Sequence, residues 1–191
     1  MALAIPPNIE TSVHGVVQLE QLSSSVSNRL LHLSNDIEPV VGRVQINNQS
    51  GFETVVNIRD VQAYIIHEDF KWVDDLIINC AIDANRTFNY NLSGLLERPQ
   101  LLRYTAPSNG YDWHVDIGNG DSSNRKISLT ILLQSNFKGG EFWCFSEGEN
   151  ELPLNTLDVI AFSSFLPHKI KPVTKGERWA LVAWISGPSF S

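Results

Sequence analysis

Cysteine is scarce in this chain. Cys80 and Cys144 are the only two, and they stand far apart with no C-x-x-C spacing. That excludes a disulfide-stapled scaffold and a cysteine-based metal knuckle, so both are read as reduced thiols. Long apolar runs are missing as well. No stretch reaches the roughly 18 apolar residues that would cross a membrane. The opening residues Met1-Ala-Leu-Ala-Ile-Pro-Pro have neither a basic region nor a long apolar stretch, so they do not read as a signal peptide, and the expected compartment is cytoplasmic. Basic residues are few, with 14 Lys and Arg against 21 Asp and Glu, a net charge of −7. Such an acidic balance argues against a dedicated nucleic-acid binder. The one local gathering of basic side chains is Lys169, Lys171, Lys175 and Arg178.

What is present fits one globular domain over residues 1–191, without internal repeats or low-complexity tracts. Residues 15–33 carry Val17, Leu19, Leu22, Val26, Leu30 and Leu31 at helical spacing and read as a helix. Residues 40–46 and 54–66 read in part as strands, with Val61, Ala63 and Ile65 on one face. The clearest helix runs from about Phe70 to Ala84, because Val73, Leu76, Ile77, Cys80 and Ala84 share a face. Asp69 is its expected N-cap. From about Leu101 onward, short apolar runs alternate with Gly, Pro, Asn and Asp clusters, the pattern of a sandwich or barrel. The expected layout is mainly β with supporting α-helices. Residues 1–100 give N-terminal helices and supporting strands, and residues 101–188 give a jelly-roll core.

Five histidines occur, and two of them stand in a chemically suggestive context. His114-Val115-Asp116 places an imidazole and a carboxylate at i and i+2, which a strand points to the same side. Two histidines and one carboxylate on one face of an octahedron form the ligand set of non-haem Fe(II) oxygenases, with three positions left open. His168 is the best candidate for the remote ligand. It shares a strand face with Ile170, while Lys169 and Lys171 take the other, so the histidine points with the core-facing set. Thr174-Lys-Gly-Glu177 reads as a tight turn, and Arg178 then opens a strand that is apolar on both faces. A buried guanidinium needs a partner. Two readings stand side by side here: a structural salt bridge, or a planar fork that receives a ligand carboxylate.

At this point the sequence resembles the Fe(II)- and 2-oxoglutarate-dependent oxygenases of the prolyl 4-hydroxylase-like group, in particular the PKHD-type hydroxylases. The matching stretches are YTAPSNGYDWHVD (104–116), RKISLTILL (125–133), KGGEF (138–142), DVIAFSS (158–164) and HKIKPVTKGERWALVAWISGP (168–188), in the family's order. The first 65 residues carry none of it. The resemblance implies a double-stranded β-helix, the cupin-like jelly roll, with His114, Asp116 and His168 as iron ligands and catalytic residues. It implies that Arg178 binds the far carboxylate of 2-oxoglutarate, with Tyr104 and Thr130 as further contacts and Ser128 as an alternative to Thr130. Some relatives carry a second tyrosine at the position of Leu132, so the group that partners Arg178 is open. Because Asp116 is retained, hydroxylation rather than halogenation is implied. The implied reaction hydroxylates an unactivated C–H bond of a peptidyl proline with release of succinate and CO2, using Fe(II), 2-oxoglutarate and, as an auxiliary reductant, L-ascorbate.

The implied partner is a peptide or protein, with a free amino acid or another small metabolite as the alternative substrate. Trp113 and Trp143 are candidates for an aromatic groove, and the polar segments 117–125 and 146–156 for a lid. A non-catalytic cupin-like metal-binding protein is the reading from a different class. A nucleic-acid dealkylase is opposed by the acidic charge, and a Zn(II) hydrolase has no use for an arginine ten residues after its last histidine.

Overall fold

The computed structural model describes residues 15–41, 44–45, 52–53, 60–134, 136–145 and 149–189. The described residues open with β1 (Val16–Leu19), α1 (Ser24–Leu33), β2 (Val40–Val41), β3 (Val44–Gln45), β4 (Phe52–Glu53) and β5 (Gln62–Ile65). It continues through α2 (Lys71–Phe88), β6 (Gln100–Thr105), β7 (Tyr111–His114), a 3-10 turn (Gly120–Asn124), β8 (Arg125–Leu132) and β9 (Phe137–Gly139). It closes with β10 (Phe142–Phe145), β11 (Glu149–Leu152), β12 (Val159–Ser163), β13 (His168–Ile170) and β14 (Val173–Ser186).

Two antiparallel sheets dominate. The larger runs β1-β12-β8-β14-β6-β5-β2 with β9 added to the start of β14, and the smaller runs β11-β10-β13-β7. This is the expected mainly β jelly roll with supporting helices. Alternation along β8 and β14 explains why both sheet faces are apolar. Ile127, Leu129 and Ile131, with Leu181, Ala183 and Ile185, pack outward against Leu30, Val73, Ile77 and Ala84 of the two helices. The opposite face meets the smaller sheet through a second core of Leu102, Tyr104, Phe142, Cys144, Ile160, Phe162 and Ile170. The interior lies between the sheets, and every inward residue of β8, β13 and β14 points into it.

Several local expectations give way to tertiary context. Residues 16–19 are a strand rather than the start of a helix, because they pair with β12, Val17 opposite Ala161 and Leu19 opposite Val159. The Leu22 N–H then bonds to the Leu157 carbonyl, so the helix begins only at Ser24. In α2 the N-cap position is Phe70, not Asp69, and no side chain caps it. The Phe70 ring packs against the outer core, which draws the entering chain one residue onward. The helix runs past Ala84 to Phe88 and stops at Asn89, whose φ is +54°. Thr174–Glu177 is not a turn. β14 runs unbroken from Val173, and Gly176, at φ +74°, sits opposite Phe137 just after a bulge between Val173 and Lys175. A Cβ at Gly176 would lie 2.2 Å from the Asn136 carbonyl oxygen, so the glycine serves close strand approach. Segment 117–125 holds the 3-10 turn, and segment 146–156 contributes β11 to the smaller sheet. Val56 and Ile58 lie outside the described residues. Among the described residues no helix is long and apolar enough to cross a membrane.

Candidate metal and active site

The end of β7 and the start of β13 bring two histidines face to face. His114 and His168 are register partners across these strands, their ring centroids 4.1 Å apart. Asp116, two residues beyond β7, is drawn to the same point because its N–H donates to the Ser164 carbonyl at 2.9 Å. One ligand atom from each of His114, Asp116 and His168 lies within 4.8 Å of the others. His114 Nε2 is 3.8 Å from Asp116 Oδ1, and His168 Nε2 is 3.6 Å from Asp116 Oδ2. Among the described residues this is the only such cluster of His, Cys, Asp and Glu.

The ring orientations fit a metal. His114 Nδ1 is 2.7 Å from the Asp112 carbonyl and His168 Nδ1 is 3.0 Å from the Leu166 carbonyl. A carbonyl only accepts, so each Nδ1 carries the proton and each Nε2 presents its lone pair. Tyr111 stacks on His114 with centroids 3.4 Å apart, and the Phe162 ring meets His168 edge-on at 4.6 Å. The imidazoles are thus held by packing as well as by hydrogen bonds. Two such nitrogens and a carboxylate suit a divalent transition metal with open positions.

Asp116 is kept ionised. Burial alone would raise its carboxyl, but the positive charge that the His168 and His114 rings carry when protonated in the metal-free protein, with Arg125 and the Ser128 hydroxyl, outweighs burial and holds it at about 2. Ser128 Oγ donates to Oδ2 at 2.6 Å. Arg125 Nη1 donates to the Asp116 carbonyl at 2.9 Å, while its Nε donates to Glu97 at 2.6 Å and its guanidinium lies over Trp184 at 4.1 Å.

Arg178 is buried at 2% exposure. Its Nε donates to the Gly140 carbonyl at 2.9 Å. No ion pair joins it to a carboxylate among the described residues, while Glu141 and Glu151 line the cavity it faces. Burial lowers its pKa, with Tyr104 acting the other way, yet a guanidinium stays charged. Gly140 allows the approach: at φ +69°, a Cβ there would meet the Arg178 Cδ at 2.9 Å. Arg178 lines a cavity of about 200 Å³ together with Leu132, Phe142 and Leu154. Tyr104 is its register partner on β6. Thr130 is buried on the same face of β8 as Ser128 and Leu132, between the metal cluster and the arginine cavity.

The structure therefore brings His114, Asp116 and His168 together and places Arg178, Tyr104 and Thr130 in the same interior. It does not bring Trp113 and Trp143 to the metal. Lys169 stands between their rings, 4.3 Å and 5.0 Å from the two centroids, and Lys171 lies 4.2 Å from Trp143. Since His168 points inward, this ladder occupies the outer face of the smaller sheet. Arg125, Ser164 and Tyr111 escape sequence reasoning, because they reach the ligands through a backbone carbonyl, another hydroxyl and a ring face.

Residues 99–186 match the model of the 2OG-Fe(II) oxygenase superfamily. Over 79 residues the chain is 37% identical to a PKHD-type hydroxylase of Prochlorococcus marinus (strain MIT 9211), covering 40% of this chain and 36% of that protein. The matched part thus spans well under half the length of this curated relative. A prolyl-4-hydroxylase of Pseudomonas putida has a similar fold, with a TM-score of 0.71 at 18% identity over 93% of this chain and 95% of that one. So has a prolyl hydroxylase from Trichoplax adhaerens in complex with a hypoxia inducible factor oxygen degradation domain peptide fragment, with a TM-score of 0.72 at 20% identity over 91% of this chain and 84% of that one. At these identities the likeness to the solved structures is one of fold.

Proposed function

We propose that the chain, whose residues 99–186 match the 2OG-Fe(II) oxygenase model, is a 2-oxoglutarate-dependent dioxygenase of the PKHD and prolyl 4-hydroxylase type that hydroxylates a peptidyl proline. The observation that carries this reading is the convergence of His114, Asp116 and His168 within 4.8 Å, with both histidine tautomers fixed toward the centre. Fe(II) held there supplies oxygen activation coupled to conversion of 2-oxoglutarate to succinate and CO2, the chemistry that installs a hydroxyl on an unactivated C–H bond.

The chain's own residues supply placement. His114, Asp116 and His168 hold the metal and leave one side of it open. Arg178 receives the far carboxylate of 2-oxoglutarate through the N–H groups that Gly140 leaves free, with Tyr104 and Thr130 along the same channel. Leu132, Phe142 and Leu154 give the arginine cavity apolar wall, beside Glu141 and Glu151. Val115 and Phe165, each 43% exposed, stand beside the ligands in sequence and offer apolar surface to a peptide. Ascorbate serves only to keep the metal reduced.

The test is succinate formation from 2-oxoglutarate by the Fe(II)-loaded protein in air, with and without a pool of proline-containing peptides and with ascorbate varied separately. Succinate that rises with peptide, together with a gain of one oxygen atom on that peptide, is the expected result. Succinate without any peptide effect would keep the oxygenase and remove the prolyl substrate in favour of a small molecule. No succinate and no 2-oxoglutarate binding would leave a metal-binding jelly roll.

A further inference from the structure

Asp116 is gripped from more sides than a metal ligand requires, and the pattern of that grip is informative. Ser128 Oγ donates to Asp116 Oδ2 at 2.6 Å, and Ser164 Oγ lies 3.0 Å from Ser128 Oγ. A serine hydroxyl has one proton, and an ionised carboxylate can only accept. The Ser128 proton is therefore committed to Asp116, and Ser164 must be the donor to Ser128. The relay runs one way, from Ser164 through Ser128 to Oδ2. Both serines are buried, at 2% and 0% exposure. The Ser164 carbonyl also accepts the N–H groups of Asp116 and Ile117 at 2.9 and 3.0 Å. With Arg125 on the Asp116 carbonyl, both the backbone and one carboxylate oxygen are pinned.

Both oxygens face a histidine, Oδ2 toward His168 Nε2 and Oδ1 toward His114 Nε2, but only Oδ2 accepts a hydroxyl hydrogen bond among the described residues, which makes the two unequal. A carboxylate binding through both oxygens would occupy two positions on the metal. With three protein ligands on an octahedral ion, three positions remain, and a chelating 2-oxo acid takes two of them, leaving one for oxygen. We propose that Ser128 is a positioning residue that keeps Asp116 a one-oxygen ligand and so preserves a position for 2-oxoglutarate, with Ser164 orienting the Ser128 hydroxyl. This rests on the reading of His114, Asp116 and His168 as the metal ligands.

The experiment is anaerobic titration of Co(II), then of 2-oxoglutarate, into wild type, Ser128→Ala, Ser128→Thr and Ser164→Ala, read by the Co(II) visible spectrum and by calorimetry. Ser128→Ala should still bind Co(II), with an altered band shape, and should bind 2-oxoglutarate about tenfold more weakly. Ser128→Thr, which keeps the hydroxyl, should restore both. Ser164→Ala should fall between, and it serves as the test if Ser128→Ala does not fold. An unchanged spectrum and unchanged 2-oxoglutarate affinity in Ser128→Ala, or in Ser164→Ala where it must stand alone, would overturn the proposal. So would a threonine variant no better than alanine. If wild type itself bound neither Co(II) nor 2-oxoglutarate, the metal-site reading would fall first, an outcome distinct from variants that match a competent wild type.

Discussion

Tyr104 and Arg178 are register partners across β6 and β14, and the guanidinium carbon lies 5.8 Å from the phenol ring centroid. The arginine is thus held by a ring face and by Gly140 rather than by a carboxylate. In the proposed function its remaining N–H groups form the fork that receives the far carboxylate of 2-oxoglutarate. Losing charge-assisted bonds of this kind costs about 2–3 kcal/mol. Arg178→Ala should raise the 2-oxoglutarate requirement on the order of a hundredfold, with a smaller effect on turnover at saturation. Arg178→Lys keeps a charge without the fork and should recover only part of the loss. Initial rates across a 2-oxoglutarate series check this. Unchanged saturation in Arg178→Ala would place the cosubstrate elsewhere.

Asp116 links stability to acidity. Its folded carboxyl sits at about 2, below the ordinary 3.8. A lowered carboxyl contributes stability that is present above the unfolded value and lost as pH falls through the folded one. The contribution is about 2 kcal/mol, complete above roughly pH 5 and fading toward pH 2. Metal-free Asp116→Asn should therefore be less stable than wild type by about that amount at pH 6, with the gap closing near pH 2. Urea midpoints at several pH values measure it. The same variants, Asp116→Asn and Asp116→Ala, should lose hydroxylation altogether.

Cys80 and Cys144 are both buried and free, and burial pushes each thiol up to about 11. Only the thiolate attacks a disulfide reagent. At pH 8 the native protein should release almost no thionitrobenzoate from a chromogenic disulfide, and two equivalents once denatured. Prompt native labelling would show that one of these positions opens to solvent.

Gly110 sets the spacing of the two histidine strands. At φ +75°, a Cβ there would lie 2.2 Å from the Ile170 carbonyl oxygen, between the start of β7 and the end of β13. Gly110→Ala combines left-handed strain with that clash and should cost about 3 kcal/mol or more. Because it pries apart the strands that carry His114 and His168, Co(II) affinity should drop along with the thermal midpoint. Retained affinity in a folded variant would show that the histidine pair is positioned independently of this contact.

Strand parity made much of the site legible before any coordinates. His168 with Ile170, and the outward turn of Lys169, follow from the period of two alone, whereas Asp116 lies beyond β7 and reaches His114 through its N–H bond to the Ser164 carbonyl. Hydrogen-bond partners distant in sequence were not legible. Val17 and Leu19 read as helical because nothing local reveals that Ala161 and Val159 will pair with them. Lys175-Gly176 read as a turn because glycine at positive φ usually marks one, whereas here it accommodates the Asn136 carbonyl in a strand. Ser128 entered only through the resemblance, as an alternative to Thr130, and its commitment to Asp116 depends on Ser164, which arrives from the far end of β12.

β14 lies between β6 and β8 in the larger sheet, bonded to both along most of its length, and also takes β9 at its start. These neighbours are made earlier on the ribosome and have no direct bond to one another in the sheet order. Until translation reaches Ser186, β6 and β8 each present an unpaired edge, and Arg178 has no place to sit. Nascent chains of this protein thus carry these exposed strand edges until β14 has been made. Arg178 and the closed sheet arrive on the same strand, so a chain arrested before Val173 would lack the arginine cavity and be sticky at the same time.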